Sequence, residues 1–147
     1  MVKQVDALLA AYAGLFLWSF LAATVLPLSS EAALALLVRS ERSVALPVLV
    51  ATAGNYLGAC TTYWLGRRAA RALESRRKPA KASERRAARW LARYGRPALL
   101  ASWVPVVGDA LVAVAGATRV PFVAFSAWVA VGKLLRYLAV AWAASAV

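Results

Sequence analysis

Long stretches with almost no charge are the feature that most limits how this 147-residue chain can fold. The stretches that hold at most two charged side chains each are residues 7–38, 43–66, 97–118 and 120–147. A helix needs about 20 apolar residues to cross the hydrocarbon core of a bilayer, so several of them are long enough. A soluble helical bundle would need polar faces at helical spacing, and few occur outside residues 67–96. The pattern, in a chain that is 63% hydrophobic, predicts an all-α polytopic membrane protein with a single membrane domain over 1–147.

A secretory signal peptide over residues 1–28 is the weaker interpretation of the first apolar stretch. The stretch is longer than the apolar region of a leader and continues past Glu31, so we expect it to be retained. The net charge of +12 raises a nucleic-acid alternative. However, 12 of the 18 lysines and arginines lie within 67–96, between two apolar stretches. Such clustering marks the cytoplasmic side of a membrane protein, so we predict a cytoplasmic loop and no nucleic-acid partner.

Residues 83–95 of this basic loop have the pattern of an amphipathic helix, with Ser83 as its cap and Gly95 as its terminator. Its apolar residues recur at helical spacing and its arginines cover most of the remaining surface. These features predict a helix on the membrane surface, with its tryptophan at the level of the lipid headgroups. A cationic helix packed on its own protein is the alternative, and the two are compatible. The residues predicted to face the membrane surface are Arg85, Arg86, Arg89, Trp90 and Arg93.

Two proline–acid pairs indicate an internal repeat. Pro27 precedes Glu31 at the same spacing at which Pro105 precedes Asp109, so one constant offset along the chain relates the two pairs. The same offset relates Gly54 to Gly132. We interpret the chain as two structural repeats, 7–66 and 97–147, each a proline-broken segment followed by a full span.

The broken segments are too short to cross a membrane. Only eight residues, 97–104, separate the basic loop from Pro105, and as a helix they reach about 12 Å of a core about 30 Å thick. We therefore predict re-entrant helical hairpins that turn near 27–31 and 105–109. A repeat of one such hairpin plus one transmembrane helix crosses the membrane an odd number of times. The second repeat must then enter from the opposite side, so the two form an inverted repeat. Residues 7–18 could lengthen a hairpin arm, form an interfacial helix or belong to a span.

Four charges inside the apolar stretches require an explanation, since each costs at least about 2.5–3.5 kcal/mol to insert. We predict that the acids Glu31 and Asp109 exchange protons and gate one polar cavity. Lys133 and Arg136 share a helix face and would bind the phosphate of a substrate. Buried ion pairs with a purely structural role are the alternative. Residues predicted to shape the cavity and its hairpins are Pro27, Asn55, Pro105 and Gly108.

Other chemistry has little support in the sequence. The chain has no histidine, so no Ser-His-Asp triad can form, and its single cysteine gives neither a disulfide nor a cysteine zinc site. An aspartic-protease dyad lacks its surrounding signature. We expect no metal, no cofactor and no enzymatic activity. Gly54 and Gly58 form a GxxxG motif that favours close helix packing and is compatible with a homodimer.

Four segments together carry a family resemblance: "LPLSSEAALALL", "GNYLGACTTYWLGR", "RWLARYGRPALLASWVPVVGDALVAVAG" and "GKLLRY". They resemble the small YqaA-type branch of the DedA superfamily, also called the VTT or SNARE-associated Golgi protein family. The resemblance covers about residues 20–142. It implies a multi-pass protein of the bacterial inner membrane with two opposed re-entrant hairpins. It also implies movement of phospholipid or undecaprenyl phosphate between leaflets, with proton coupling proposed for relatives.

Glu31 matches the acid that follows the first-hairpin proline in the wider family. The second hairpin departs from it, because larger members have arginines flanking that proline whereas Ser102, Gly108 and Asp109 stand here. From the residues and the resemblance we expect a lipid translocase, either a scramblase or a proton-coupled flippase, with membrane lipids and protons as partners. A proton-coupled antiporter of ions or small cations is the alternative, and a scaffold with structural charges is a third.

Overall fold

The computed structural model describes residues 2–24, 30–40, 44–73, 81–104 and 107–145. Every regular element within these ranges is a helix, as the sequence predicts. Pro27 and Pro105, where the hairpin turns are predicted, lie outside the described residues. The elements are α1 (Val2–Ala22), α2 (Ser30–Ser40), α3 (Ala45–Leu73), α4 (Ala82–Tyr94), a 3-10 helix (Arg96–Trp103), α5 (Val107–Ala117) and α6 (Phe122–Ser145).

Two helices of the described chain are long and apolar enough to cross a membrane. They are Lys3–Ala22 of α1, with a mean hydropathy of 1.7, and Phe122–Ser145, with 1.5. Few of their residues are buried within the protein, at 11% and 28%, as expected for helices that face lipid. Residues 7–18 lie inside the continuous helix α1, which excludes a separate short helix there.

The 3-10 helix and α5 form a pair of short arms. They contain 8 and 11 residues, so each reaches about 16 Å, roughly half of a bilayer core. The first arm is a 3-10 helix, whereas the prediction took 97–104 as an α-helix. The arms pack closely, since a Cβ on Gly108 would overlap the Ser102 carbonyl, and the Gly108 N–H donates to the Val104 carbonyl oxygen at 2.7 Å.

The order of helices recurs along the chain at nearly the predicted spacing. The number of residues from the start of α2 to the start of α5 equals the number from the start of α3 to the start of α6. Corresponding glycines of the two long helices make corresponding contacts. Gly54 of α3 packs against the Phe16 carbonyl of α1, and Gly132 of α6 packs against the Leu100 carbonyl of the 3-10 helix. In each case the absence of a Cβ lets the long helix approach the backbone of a helix earlier in the chain.

The chain divides into two compact units, which we call the first and second units. The first unit contains residues 1–58 and 134–147, and the second contains 59–133. The first unit holds α1, α2, the start of α3 and the end of α6, and the second holds the end of α3, α4, the 3-10 helix, α5 and the start of α6. The units are not the two repeats in chain order, because α3 and α6 each contribute to both.

Each unit has its own packed interior. Because lipid tails are as apolar as these side chains, close packing rather than transfer from water stabilises helix contacts within a membrane. In the second unit the Tyr63 ring lies 4.5 Å from that of Phe125 between centroids, and its hydroxyl donates to the Val120 carbonyl oxygen at 2.6 Å. The core of the first unit is formed by Leu15, Leu34, Val38, Val48, Ala51, Tyr137 and Ala141.

The predicted surface helix over 83–95 corresponds to α4, but its predicted cap is wrong. The helix begins at Ala82, so Ser83 lies inside its first turn and Lys81 occupies the capping position. The Lys81 N–H donates to Glu84 Oε2 at 2.9 Å, because a carboxylate three residues on can reach back to the cap. Gly95 does terminate the helix, with a φ of 66° that favours glycine.

The GxxxG motif is used within the chain. Besides the contact of Gly54 with Phe16, a Cβ on Gly58 would overlap the Phe20 carbonyl of α1 and lie 2.9 Å from the Ala23 Cβ. Since α1 covers this face of α3 in the first unit, the motif gives no support for pairing of two chains.

Candidate functional site: a polar cluster in the first unit

The first unit brings together two charges that are far apart in sequence, Glu31 in the first turn of α2 and Arg136 in α6. Arg136 Nη2 donates to Glu31 Oε1 at 2.6 Å, and Nε donates to the same oxygen at 2.9 Å. The Arg136 side chain is 19% exposed and that of Glu31 is 40% exposed. The carboxylate of the pair is thus partly exposed. Both hydrogen bonds go to the same carboxylate oxygen, whereas a bidentate pair would place one on each oxygen.

The neighbouring residues form a second contact beside the ion pair. Ser30 Oγ and the Tyr137 hydroxyl are 2.6 Å apart and hydrogen-bonded, and both residues are buried. Two consecutive residues of α2 therefore meet two consecutive residues of α6. The double contact fixes the start of α2 against the end of α6 and so determines where the Arg136 guanidinium points.

Asn55 of α3 adds a third polar contact. Its Nδ2 donates to the Ser19 carbonyl oxygen of α1 at 3.2 Å. Asn55 Oδ1 and Ser19 Oγ are buried and have no hydrogen-bond partner among the described residues. A buried polar atom without a partner is costly, so these atoms favour a bound group that offers hydrogen bonds, such as water or a polar headgroup.

We call Ser19, Ser30, Glu31, Asn55, Arg136 and Tyr137 the polar cluster. It combines a guanidinium that is only partly covered, a carboxylate that can gain or lose a proton, and several neutral hydrogen-bonding groups. Such a set can hold an anion beside hydroxyl groups, and no nucleophile with an adjacent general base is among its members.

The predicted site residues fall in both units. Glu31, Arg136 and Asn55 lie in the first unit, while Asp109, Lys133 and Gly108 lie in the second. Asp109 is partly buried in the first turn of α5, as Glu31 is in the first turn of α2. Lys133 is only 2% exposed. Of these residues, Glu31 and Arg136 form an ion pair in the first unit.

Sequence reasoning selected Asn55 but missed the other neutral members of the cluster, Ser19, Ser30 and Tyr137. Ser30 and Tyr137 each stand next to a residue that it selected, and adjacency to an intramembrane charge is the signal that could have found them. Ser19 has no such signal, because a lone serine in an apolar helix is common. Only packing of α1 against α3 makes its carbonyl and hydroxyl part of the cluster.

The five residues predicted to face the membrane surface lie on α4 in the second unit. The arginines Arg85, Arg86, Arg89 and Arg93 are exposed or partly exposed, and Trp90 is half-buried. Ala87 is fully buried, and α4 packs against α5. The helix therefore packs on its own protein through part of its apolar face while its arginines remain outside.

The Ser30–Tyr137 contact gives a stability prediction. Tyr137→Phe removes one hydroxyl and leaves Ser30 buried without its partner, which should lower the free energy of unfolding by about 1–2 kcal/mol. The measurement is unfolding in mixed micelles followed by circular dichroism. Tyr94→Phe is the matched control, because Tyr94 is 58% exposed and should lose almost nothing. Equal effects of the two changes would show that the Ser30–Tyr137 bond adds no stability.

Comparison with known proteins places the chain among membrane proteins. Residues 16–146 match the VTT domain family. The chain is 44% identical over 128 residues to the inner membrane protein YqaA of Escherichia coli, with 86% of each chain covered, and the same values hold for YqaA of Shigella flexneri. It is 43% identical over 133 residues to an uncharacterised protein of Haemophilus influenzae, covering 85% of this chain and 82% of that one. No solved structure matches the chain.

Proposed function

The chain belongs to the VTT domain (DedA) family of transporter-type membrane proteins, and from this premise we propose that it moves a lipid phosphate between bilayer leaflets. The cargo is a phospholipid or undecaprenyl phosphate, and the protein acts as a scramblase or a proton-coupled flippase. The headgroup crosses through a polar path while the acyl or prenyl tails stay in the bilayer. The Glu31–Arg136 ion pair is the observation that carries this proposal.

The geometry of the pair suits exchange of one anion for another. Arg136 is always charged, so burial cannot silence it, and its planar fork matches a phosphate as well as a carboxylate. Two of its hydrogen bonds go to a single Glu31 oxygen. A lipid phosphate that takes the place of the carboxylate keeps the guanidinium paired throughout and so avoids the large penalty of an unpaired buried charge.

Proton coupling follows from the same exchange. When Glu31 binds a proton, its charge disappears and its hold on Arg136 weakens, so the guanidinium can bind a lipid phosphate. Loss of the proton restores the carboxylate and displaces the phosphate. The Ser30 and Tyr137 hydroxyls and the unpartnered atoms of Asn55 and Ser19 supply hydrogen bonds to the polar part of the headgroup.

The finer arrangement is part of the proposal. We place α2 with the end of α1 as one re-entrant hairpin, lengthened by the rest of α1, and the 3-10 helix with α5 as a second. The two hairpins enter from opposite sides of the inner membrane, with residues 67–96 on the cytoplasmic side. Asp109, which corresponds to Glu31 in the repeat and stands at the start of the second short segment, acts as a second proton-binding gate. Lys133, on the same helix as Arg136 and one turn before it, assists in attracting the phosphate.

The proposal is tested by reconstitution into liposomes with a leaflet-specific fluorescent phospholipid and, separately, with polyprenyl phosphate. Exchange should be faster than in empty vesicles for at least one of the two. An antiporter of ions or small cations is separated by measuring proton flux with and without added cations, because lipid exchange needs no added cation. Exchange at the empty-vesicle rate for both lipids would reject the proposal.

Glu31→Gln gives a more specific prediction about coupling. The amide resembles the protonated acid, so exchange should continue but lose its response to an imposed pH gradient. The readout is the ratio of lipid exchange rates with and without the gradient. Glu84→Gln removes an acid that caps α4 and should leave the wild-type ratio intact. If Glu31→Gln responds to the gradient as wild type does, Glu31 is not the coupling group.

A further inference from the structure

The second unit has an open groove between α4 and the 3-10 helix. The groove has a volume of about 500 Å³, which is within the range of small-molecule binding sites. Its lining is apolar and aromatic, and belongs entirely to the second unit. The lining residues are Trp90, Tyr94, Pro97, Ala98, Leu100, Ala101 and Trp103.

The aromatic groups of this groove remain accessible. Tyr94 is 58% exposed and Trp103 is 49% exposed, although both are large and amphipathic. α4 packs on α5 and fully buries Ala87, so only part of its apolar face is covered by protein. The part that carries Trp90 and Tyr94 is left to line the groove.

Arginines border the groove along the same helix. Arg86 lies four residues before Trp90 and Arg93 three residues after it, a spacing that places the three residues next to one another on the helix surface. The Arg93 guanidinium lies 5.6 Å from the centre of the Tyr94 ring. A second concavity of about 540 Å³ on the same helix is lined by Arg85, Arg86 and Arg89 with two alanines.

We propose that this groove is an accessory binding site for one anionic phospholipid, distinct from the polar cluster. An acyl chain occupies the aromatic groove, and the lipid phosphate lies on Arg86 and Arg93. The two halves of such a lipid match the two halves of the surface, an apolar trough beside a row of cations. Tryptophan and tyrosine at the edge suit the level of the headgroups, where amphipathic rings are favoured.

The phosphates of a nucleic acid could bind the arginines, but a nucleic acid has no acyl chain to fill the apolar groove. Phosphate-backbone binding needs only cations, and single strands that stack on aromatic groups present planar bases rather than a flexible chain. A zwitterionic lipid would fill the groove and also offers a phosphate, but its headgroup carries a cation that the arginines repel, so it gains less from them. Both charge and apolar shape therefore select an anionic lipid.

The test is retention of phosphatidylglycerol against phosphatidylcholine of equal chain length, measured by native mass spectrometry of the intact chain released from detergent. Wild type should retain phosphatidylglycerol preferentially. The double variant Arg86→Gln/Arg93→Gln should weaken that retention about 10- to 30-fold, given the typical contribution of each arginine at a membrane surface. Its matched control is Arg68→Gln/Arg71→Gln, which removes two arginines from α3 and should leave retention unchanged.

The apolar half has its own variant. Trp103→Ala should reduce retention of phosphatidylglycerol severalfold, whereas Trp142→Ala should not, since Trp142 is an exposed tryptophan of α6 outside the groove. The site would be overturned if the two double arginine variants lost phosphatidylglycerol retention equally, or if the two tryptophan variants did. Equal retention of phosphatidylglycerol and phosphatidylcholine by wild type would also overturn it. Binding is measured without transport, so failure here leaves the proposed translocation untouched, and failure of translocation leaves this site untouched.

Discussion

Arg136→Gln is expected to reduce lipid exchange in reconstituted liposomes to the rate of empty vesicles. The change keeps a polar side chain of moderate length but removes the cation that hydrogen-bonds to Glu31. Both the carboxylate and an incoming lipid phosphate then lose this charged partner. Arg136→Lys is expected to retain a fraction of the activity, because it keeps the charge but lacks the planar fork.

The same variant should also be less stable, by a measurable but limited amount. Removing one partner of a fully buried ion pair costs about 3–5 kcal/mol, but exposed pairs contribute about 1 kcal/mol or less. Glu31 is 40% exposed, so we expect a loss of about 1–2 kcal/mol in the free energy of unfolding. In a double-mutant cycle with Glu31→Gln, the second change should cost much less than it does alone, because the pair has already been broken.

Arg39→Gln is the matched control for both measurements. Arg39 is an exposed arginine in the last turn of α2, in the same unit as Arg136, and its loss should leave exchange and stability close to wild type. If Arg136→Gln lowers stability but exchanges lipid at the wild-type rate, the Glu31–Arg136 pair has a structural role only, and the proposal that Arg136 binds the lipid phosphate is wrong. If Arg39→Gln is equally inactive, general loss of positive charge explains the result.

The helical membrane fold could be predicted because its signal is spread over many residues. Uncharged stretches of the required length fix the approximate position of the long helices, and α6 (Phe122–Ser145) falls inside the predicted stretch 120–147. The offset between the proline–acid pairs anticipated the recurrence of α2 and α3 as α5 and α6. Local details depended on single side chains and were less secure. The observed α4 begins at Ala82 instead of after Ser83, and Glu84 caps this earlier start by accepting a hydrogen bond from the Lys81 N–H.

The sequence identifies the two charges of the candidate site and Asn55, but not its other members. Glu31 and Arg136 are conspicuous in apolar surroundings, but the sequence does not say which acid meets which base. That choice depends on the first unit combining α2 with the end of α6, two elements from opposite ends of the chain. Ser19 and Asn55 join the cluster only because Gly54 lets α3 approach the α1 backbone. Tertiary contact, not local pattern, brings Ser19, Ser30 and Tyr137 into the cluster.

Glycine contacts of this kind lead to the largest stability effect that we expect. In the second unit a Cβ on Gly116 of α5 would overlap the Tyr63 carbonyl oxygen of α3, and would lie 2.8 Å from the Tyr63 carbonyl carbon and 3.1 Å from the Arg67 nitrogen. All three are backbone atoms, so no side chain can rotate away. Gly116→Ala must therefore separate α5 from α3, and we expect it to lower the free energy of unfolding by about 2–4 kcal/mol.

Gly14→Ala is the matched control for this change. Gly14 is also within a helix, but a Cβ there would meet nothing within 4 Å, so the substitution should be neutral or stabilise by up to about 1 kcal/mol through helix propensity. Both variants are compared by unfolding in mixed micelles. A loss for Gly116→Ala no larger than the change for Gly14→Ala would mean that α3 and α5 are not in backbone contact.

The contact is reciprocal, which gives the experiment a second and independent arm. A Cβ on Gly66 of α3 would overlap the Ala113 carbonyl of α5, so either glycine alone should keep the helices apart once it is changed. Gly66→Ala/Gly116→Ala should then cost clearly less than the sum of the two single losses, because the first alanine already creates the space that the second requires. Additive losses would instead place the two glycines in independent contacts, and the close approach of α3 and α5 would have to be abandoned as the reason for either effect.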